Sequence, residues 1–162
     1  MKKKESNPYL KDGRLADVIA GITALGTYKF YKLDFKAWAT RISGPSKSAG
    51  YWQTLFEEHP EFFRVNSGED KASLVWRRQY PKNYHVDEIK EAPPDGHSSG
   101  ASADRISRKP LEPGEITALV QVAINLHDRA LEQSKAKWWW LPLASGLLSF
   151  AGASVGALLT LQ

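Results

Sequence analysis

The feature that most constrains this chain is the stretch from Trp138 to Leu161. It reads WWWLPLASGLLSFAGASVGALLTL, 24 residues without one charged side chain. At about 1.5 Å per residue a helix of this length extends roughly 36 Å, enough to cross a hydrocarbon layer of about 30 Å with some tilt. A core helix of a globular domain rarely stays uncharged for so long, so 138–161 is predicted to be a transmembrane helix in a lipid bilayer. Trp138, Trp139 and Trp140 form an aromatic cluster suited to the headgroup level, with Lys135 and Lys137 beside it as interface anchors. Positive charge is retained on the cytoplasmic side. The expectation is therefore a single-pass membrane protein whose N-terminal domain is cytoplasmic, inserted after synthesis as tail-anchored proteins are. Pro142 falls in the first turns of the span, where its missing N–H costs little. Ser145, Ser149, Gly152 and Gly156 recur at intervals of three and four, and Gly152 and Gly156 make a GxxxG spacing that lets two helix backbones approach closely. Self-association into a homo-oligomer is one reading of this stripe. The other is the ordinary abundance of small residues in membrane helices.

Outside the span the charge is uneven. Residues 1–87 hold 15 basic and 10 acidic side chains, residues 88–137 hold 7 and 8, and the rest hold none. The basic excess is mild and three of its members are Lys2, Lys3 and Lys4, so residues 1–13 read as a disordered basic tail. There is no cysteine, which excludes disulfides, thiol nucleophiles and Cys-ligated metals. The N-terminus has no apolar stretch like a signal peptide. Residues 88–110 are rich in Pro, Gly, Ser and Ala and are predicted to be a flexible linker. Residues 111–137 carry an amphipathic helix, opened by Pro113 and striped by Ile116, Leu119, Val120, Ala123, Leu126 and Ala130. The stripe must face the N-terminal domain, the membrane surface or copies of itself, and His127 on this helix is expected to face solvent.

Residues 14–87 read as one domain. Leu15, Val18, Ile19, Ile22 and Leu25 lie at helical spacing and Gly26 ends the run. Asp34 is placed to cap a second helix over Phe35–Ile42, and Ser48–Glu58 supplies a third. His59-Pro60 then breaks the period. Short strands are predicted over Glu61–Val65 and Lys71–Arg77, joined by a turn, with Trp38, Phe62, Phe63 and Trp76 in the core. This order of helix, extended segment, helix, helix and hairpin, with HPEFFRV and ASLVWRR as its most specific part, resembles the winged-helix (winged helix-turn-helix) family. The whole layout is similar to small bacterial-type membrane-anchored proteins. The expected fold class is mainly α with a small β-hairpin, an α+β architecture.

The resemblance implies that the third helix and the hairpin meet a partner. Tyr51, Trp52, Gln53 and Tyr80 are candidates for a partner surface, while Lys47, Arg64, Lys71, Arg77 and Arg78 are candidates for nucleic-acid contacts. Glu57 and Glu58 on the third helix repel phosphate. No catalytic or metal-binding constellation is legible: His59, His85, His97 and His127 are scattered along the chain, and the glycines make no phosphate-binding loop. No cofactor and no enzymatic activity are expected. The sequence favours a non-catalytic interaction or adaptor module tethered to the membrane, with an unidentified cytosolic protein as its partner. A membrane-anchored DNA-binding transcriptional regulator is the alternative, and an oligomerising membrane effector is a more distant one.

Overall fold

Helix boundaries in the computed structural model follow local capping chemistry. The structure describes residues 7–66, 68, 70–86 and 106–136. Helix α1 is Arg14–Thr27. Strand β1, Lys32–Asp34, leads into α2, Phe35–Ser43, where the Asp34 carboxylate accepts the Ala37 N–H at 2.7 Å. Gly44 ends α2 with φ of 58°, a left-handed conformation that a side chain would strain. Ser48 caps α3, Ala49–Glu58, through the Tyr51 N–H at 3.2 Å. Strands β2, Phe63–Asn66, and β3, Lys71–Leu74, form the hairpin.

The three strands make one antiparallel sheet in the order β1-β3-β2, with Leu33, Ala72 and Val65 in one cross-strand row and Lys32, Ser73 and Arg64 in the next. Successive rows point to opposite faces. The first row faces the core, where Val18, Ile22 and Leu25 of α1 meet Trp38, Trp52, Leu55, Phe56, Phe63 and Leu74. The Trp38 indole donates to the Ala72 carbonyl at 3.0 Å, tying α2 to the central strand. Gly21 is required by a close approach, since a Cβ there would stand 3.0 Å from Phe63 Cζ. Among the described residues the chain is mainly helical with small antiparallel sheets, an α+β architecture.

Several expectations need correction. Residues 7–13 are ordered: Pro8–Leu10 is a 3-10 turn with Tyr9 in the core. The linker ends earlier than its composition suggests, because Ile106–Ser107 is a strand, β5, that pairs with β4, Tyr84–His85. The amphipathic helix α4, Pro113–Ala136, packs along α1 and the Pro8–Leu10 turn. Its stripe closes the N-terminal core, with Leu119, Ala123 and Ala130 buried and Ile116, Val120 and Leu126 half-buried against it. His127 does not face away. Its Nδ1 donates to the Tyr9 carbonyl at 3.0 Å. Strand β3 stops at Leu74, Val75 turns to helical φ and ψ, and a 3-10 turn follows over Trp76–Gln79. That turn breaks the alternation expected through Arg77: Trp76 swings outward to 41 % exposure and Arg77 swings in.

The predicted span 138–161, with Trp138, Trp139, Trp140, Ser145, Ser149, Gly152 and Gly156, lies outside the described residues, as does Lys137. Among the described residues no helix is long and apolar enough to cross a membrane.

One side-chain cluster ties the N-terminal turn to the end of α3. The Tyr9 hydroxyl donates to Glu61, and His59 Nδ1 lies 3.1 Å from Glu61 Oε1. Burial pushes the Glu61 carboxyl up, but the His59 and Tyr9 hydrogen bonds together outweigh it and hold the pKa below the usual carboxylate value. A depressed folded-state pKa stabilises the fold above the unfolded carboxylate pKa, and the contribution is lost as pH falls through the lower folded value. Glu61→Gln is therefore expected to cost about 0.5–1 kcal/mol at pH 7, with the gap to the parent closing below about pH 4. Urea unfolding at pH 7 and pH 3 checks this. A gap equal at both pH values would show that the carboxylate charge is not involved.

Candidate ligand pocket

The second row of the three-stranded sheet, Lys32, Ser73 and Arg64, faces away from the core. No helix covers it. Instead Tyr31, Arg78 and Arg108 close over the row, with Asn66 at one end, around a cavity of about 130 Å³. Each wall has a separate origin. Arg64 comes from β2, Lys32 from β1, and Arg78 from the 3-10 turn after β3. Arg108 follows β5, which is held beside β1 by the Tyr31 N–H donating to Ser107 Oγ at 3.0 Å.

The lining is cationic, with three guanidinium groups, one ammonium and no carboxylate. Asp34 lies one row along the same face, but it is committed to the α2 cap. Among the described residues neither Arg64 nor Arg78 has an ion-pair partner. The Arg108 guanidinium stacks 5.2 Å over the Tyr31 ring, and its Nε is buried without a hydrogen-bond partner. Guanidinium groups that converge on one cavity with no ion-pair partner among the described residues are the arrangement that an anion completes. The cavity opens beside a shallower groove of about 480 Å³ lined by Pro60, Val75 and Gln79, and Arg64 and Arg78 stand on the rim common to both.

The other sequence candidates are dispersed or spent inside the fold. Arg77 is fully buried and is not a nucleic-acid contact. Its guanidinium donates to the carbonyls of Leu25 at 2.8 Å, Tyr28 at 2.6 Å, Arg108 at 2.5 Å and Lys109 at 3.1 Å. It thereby caps the C-terminal end of α1 and staples it to the segment before α4. Burial pulls the Arg77 pKa down to about 10, which leaves it charged at neutral pH. Lys47 pairs with Asp17, which also accepts the Tyr51 hydroxyl. The hydrogen bond to Asp17 raises the Lys47 pKa, while burial and the same carboxylate raise that of Tyr51. Lys71 lies on the same sheet face as the cavity, one row away.

The expected partner surface does not form as one patch. Trp52 is buried, with its indole donating to Ser43 Oγ at 2.9 Å. Gln53 donates to Glu57 at 3.0 Å within α3. Tyr80 sits across the domain, donating to Glu115 at the start of α4, and that hydrogen bond raises its pKa. Arg108 escaped sequence analysis because it stands in a stretch whose composition reads as linker. Among the described residues no group of His, Asp or Glu is placed to hold a metal ion. No protein-family model, curated protein or solved structure matches the chain.

Proposed function

We propose that the chain is a membrane-tethered interaction module of winged-helix type that docks a cytosolic protein and performs no catalysis. The order helix, strand, helix, helix, strand, strand, closed by a sheet in the order β1-β3-β2, supports the family reading. The tether is the uncharged segment 138–161, an assignment that rests on the sequence. Its Gly152 and Gly156 are proposed as a self-association face.

The observation that carries docking over DNA reading is the surface of α3, the helix that reads the major groove in a DNA-binding winged helix. It holds no Lys or Arg, its one base-reading side chain, Gln53, is bonded to Glu57, and Glu58 follows. Such a face repels a phosphate backbone. In titrations of the detergent-solubilised full-length chain with duplex DNA, at low and moderate salt, we expect no steeply salt-dependent complex. A complex weakened by Gln53→Ala and by added salt would favour the DNA-binding regulator instead. The tether is tested by Leu147→Arg with Leu148→Arg. Each charge at the span centre opposes insertion by about 2.5–3.5 kcal/mol, so the protein is expected to leave the membrane fraction. Unchanged fractionation would remove the tether.

A further inference from the structure

We infer that the cavity between β1, β3 and Arg108 is a phosphoryl-binding pocket that takes a phosphorylated side chain of the docked partner. This deepens the docking reading and rests on it. The chemistry comes from the donor set. Arg64, Arg78, Arg108 and Lys32 surround about 130 Å³, room for roughly four water molecules and hence for one tetrahedral anion. A phosphomonoester brings nearly two negative charges and three acceptor oxygens, whereas a carboxylate brings one charge and two oxygens. Planar guanidinium forks converging from separate elements match the first better.

The source of the phosphoryl group follows from the surroundings. The adjoining groove, with Pro60 and Val75 along it, offers apolar contact to residues on either side of a phosphorylated one. A lipid headgroup fits less well. Arg108 lies just before α4, and α4 then carries the chain about 36 Å away, past Tyr9, toward the predicted span. The pocket thus stands by the N-terminal end of α4, whereas the predicted span follows its C-terminal end in sequence.

The test titrates the full-length chain in detergent with three probes: a short Gly/Ala peptide with a central phosphoserine, the same peptide with Glu in that place, and inorganic phosphate. The phosphopeptide is expected to bind once per chain and to be displaced by inorganic phosphate. The Glu peptide is expected to bind at least about tenfold more weakly. Arg64→Gln and Arg78→Gln are each expected to weaken the phosphopeptide about tenfold while leaving thermal unfolding unchanged, because both side chains are exposed. Equal affinity for the two peptides, or affinity unmoved by both substitutions, would overturn the pocket. Binding of inorganic phosphate without the phosphopeptide would overturn its docking role. Failure here is distinguishable from failure of the docking reading, since a partner still captured by the Arg64→Gln, Arg78→Gln chain leaves docking intact and removes only the pocket.

Discussion

A chain cut after Asp87 is expected not to fold. The cut removes Leu111, Leu119, Ala123 and Ala130 from the core and uncovers the face of α1 at Gly26, where a Cβ would meet Leu111 and Ile116 at 3.5 Å. Leu111 and Leu119 alone are worth about 1.5–3 kcal/mol each by burial, and the half-buried Ile116, Val120 and Leu126 add to that. The cut also takes away the Arg108 and Lys109 carbonyls, leaving two of the Arg77 hydrogen bonds unmade in a buried site. The loss is comparable with the 5–15 kcal/mol by which domains of this size are stable. Circular dichroism should show no cooperative melt for residues 1–87 and a cooperative one for residues 1–137. A sigmoidal melt of the shorter fragment near the temperature of the longer would show that α4 is an accessory rather than part of the domain.

Two adjacent arginines are expected to differ sharply. Arg77→Met takes the donor from the buried carbonyl of Leu25 and the partly buried carbonyls of Tyr28, Arg108 and Lys109, and should cost about 3–5 kcal/mol. Arg78→Met removes a side chain exposed on the pocket rim and should change stability by less than about 0.5 kcal/mol. Arg77→Lys should fall between the two, since one ammonium retains the charge but cannot span four acceptors. Urea denaturation of the three variants decides it. Equal midpoints for Arg77→Met and Arg78→Met would contradict the assignment of Arg77 to the fold. The contrast also fixes how binding is probed: loss of an interaction in an Arg77 variant reports on folding, so Arg64 and Arg78 are the informative positions.

The sequence made the helices legible because their signals are local. Asp34 and Ser48 stand where caps belong, and apart from Ile19, which is not in the core, the apolar spacings of α1, α2 and α3 match the buried faces. The α4 stripe was legible as a stripe, but its partner was not, because 3.6-residue periodicity says that a face is covered and nothing about what covers it. Arg77 and Arg78 are indistinguishable in sequence. The 3-10 turn begun at Val75 decides which points inward, and that turn depends on carbonyls contributed from residues 25–28 and 108–109. The pocket was invisible for the same reason, since its walls come from residues 31 to 108 and meet only when β5 is seated beside β1. Trp76 shows the limit of alternation: two residues past the end of β3, the strand's two-residue period no longer applies.

The central claim, that this is a membrane-tethered protein-docking module, is tested most directly by photo-crosslinking the full-length chain in cells. A photoreactive amino acid replaces exposed Trp76, next in sequence to the groove residue Val75, in one chain and exposed Thr54 on α3 in another. The account expects a discrete protein adduct from the Trp76 position, recovered in the membrane fraction, and no nucleic-acid adduct from either position. A DNA adduct through Thr54, or recovery of the protein away from membranes, would contradict it.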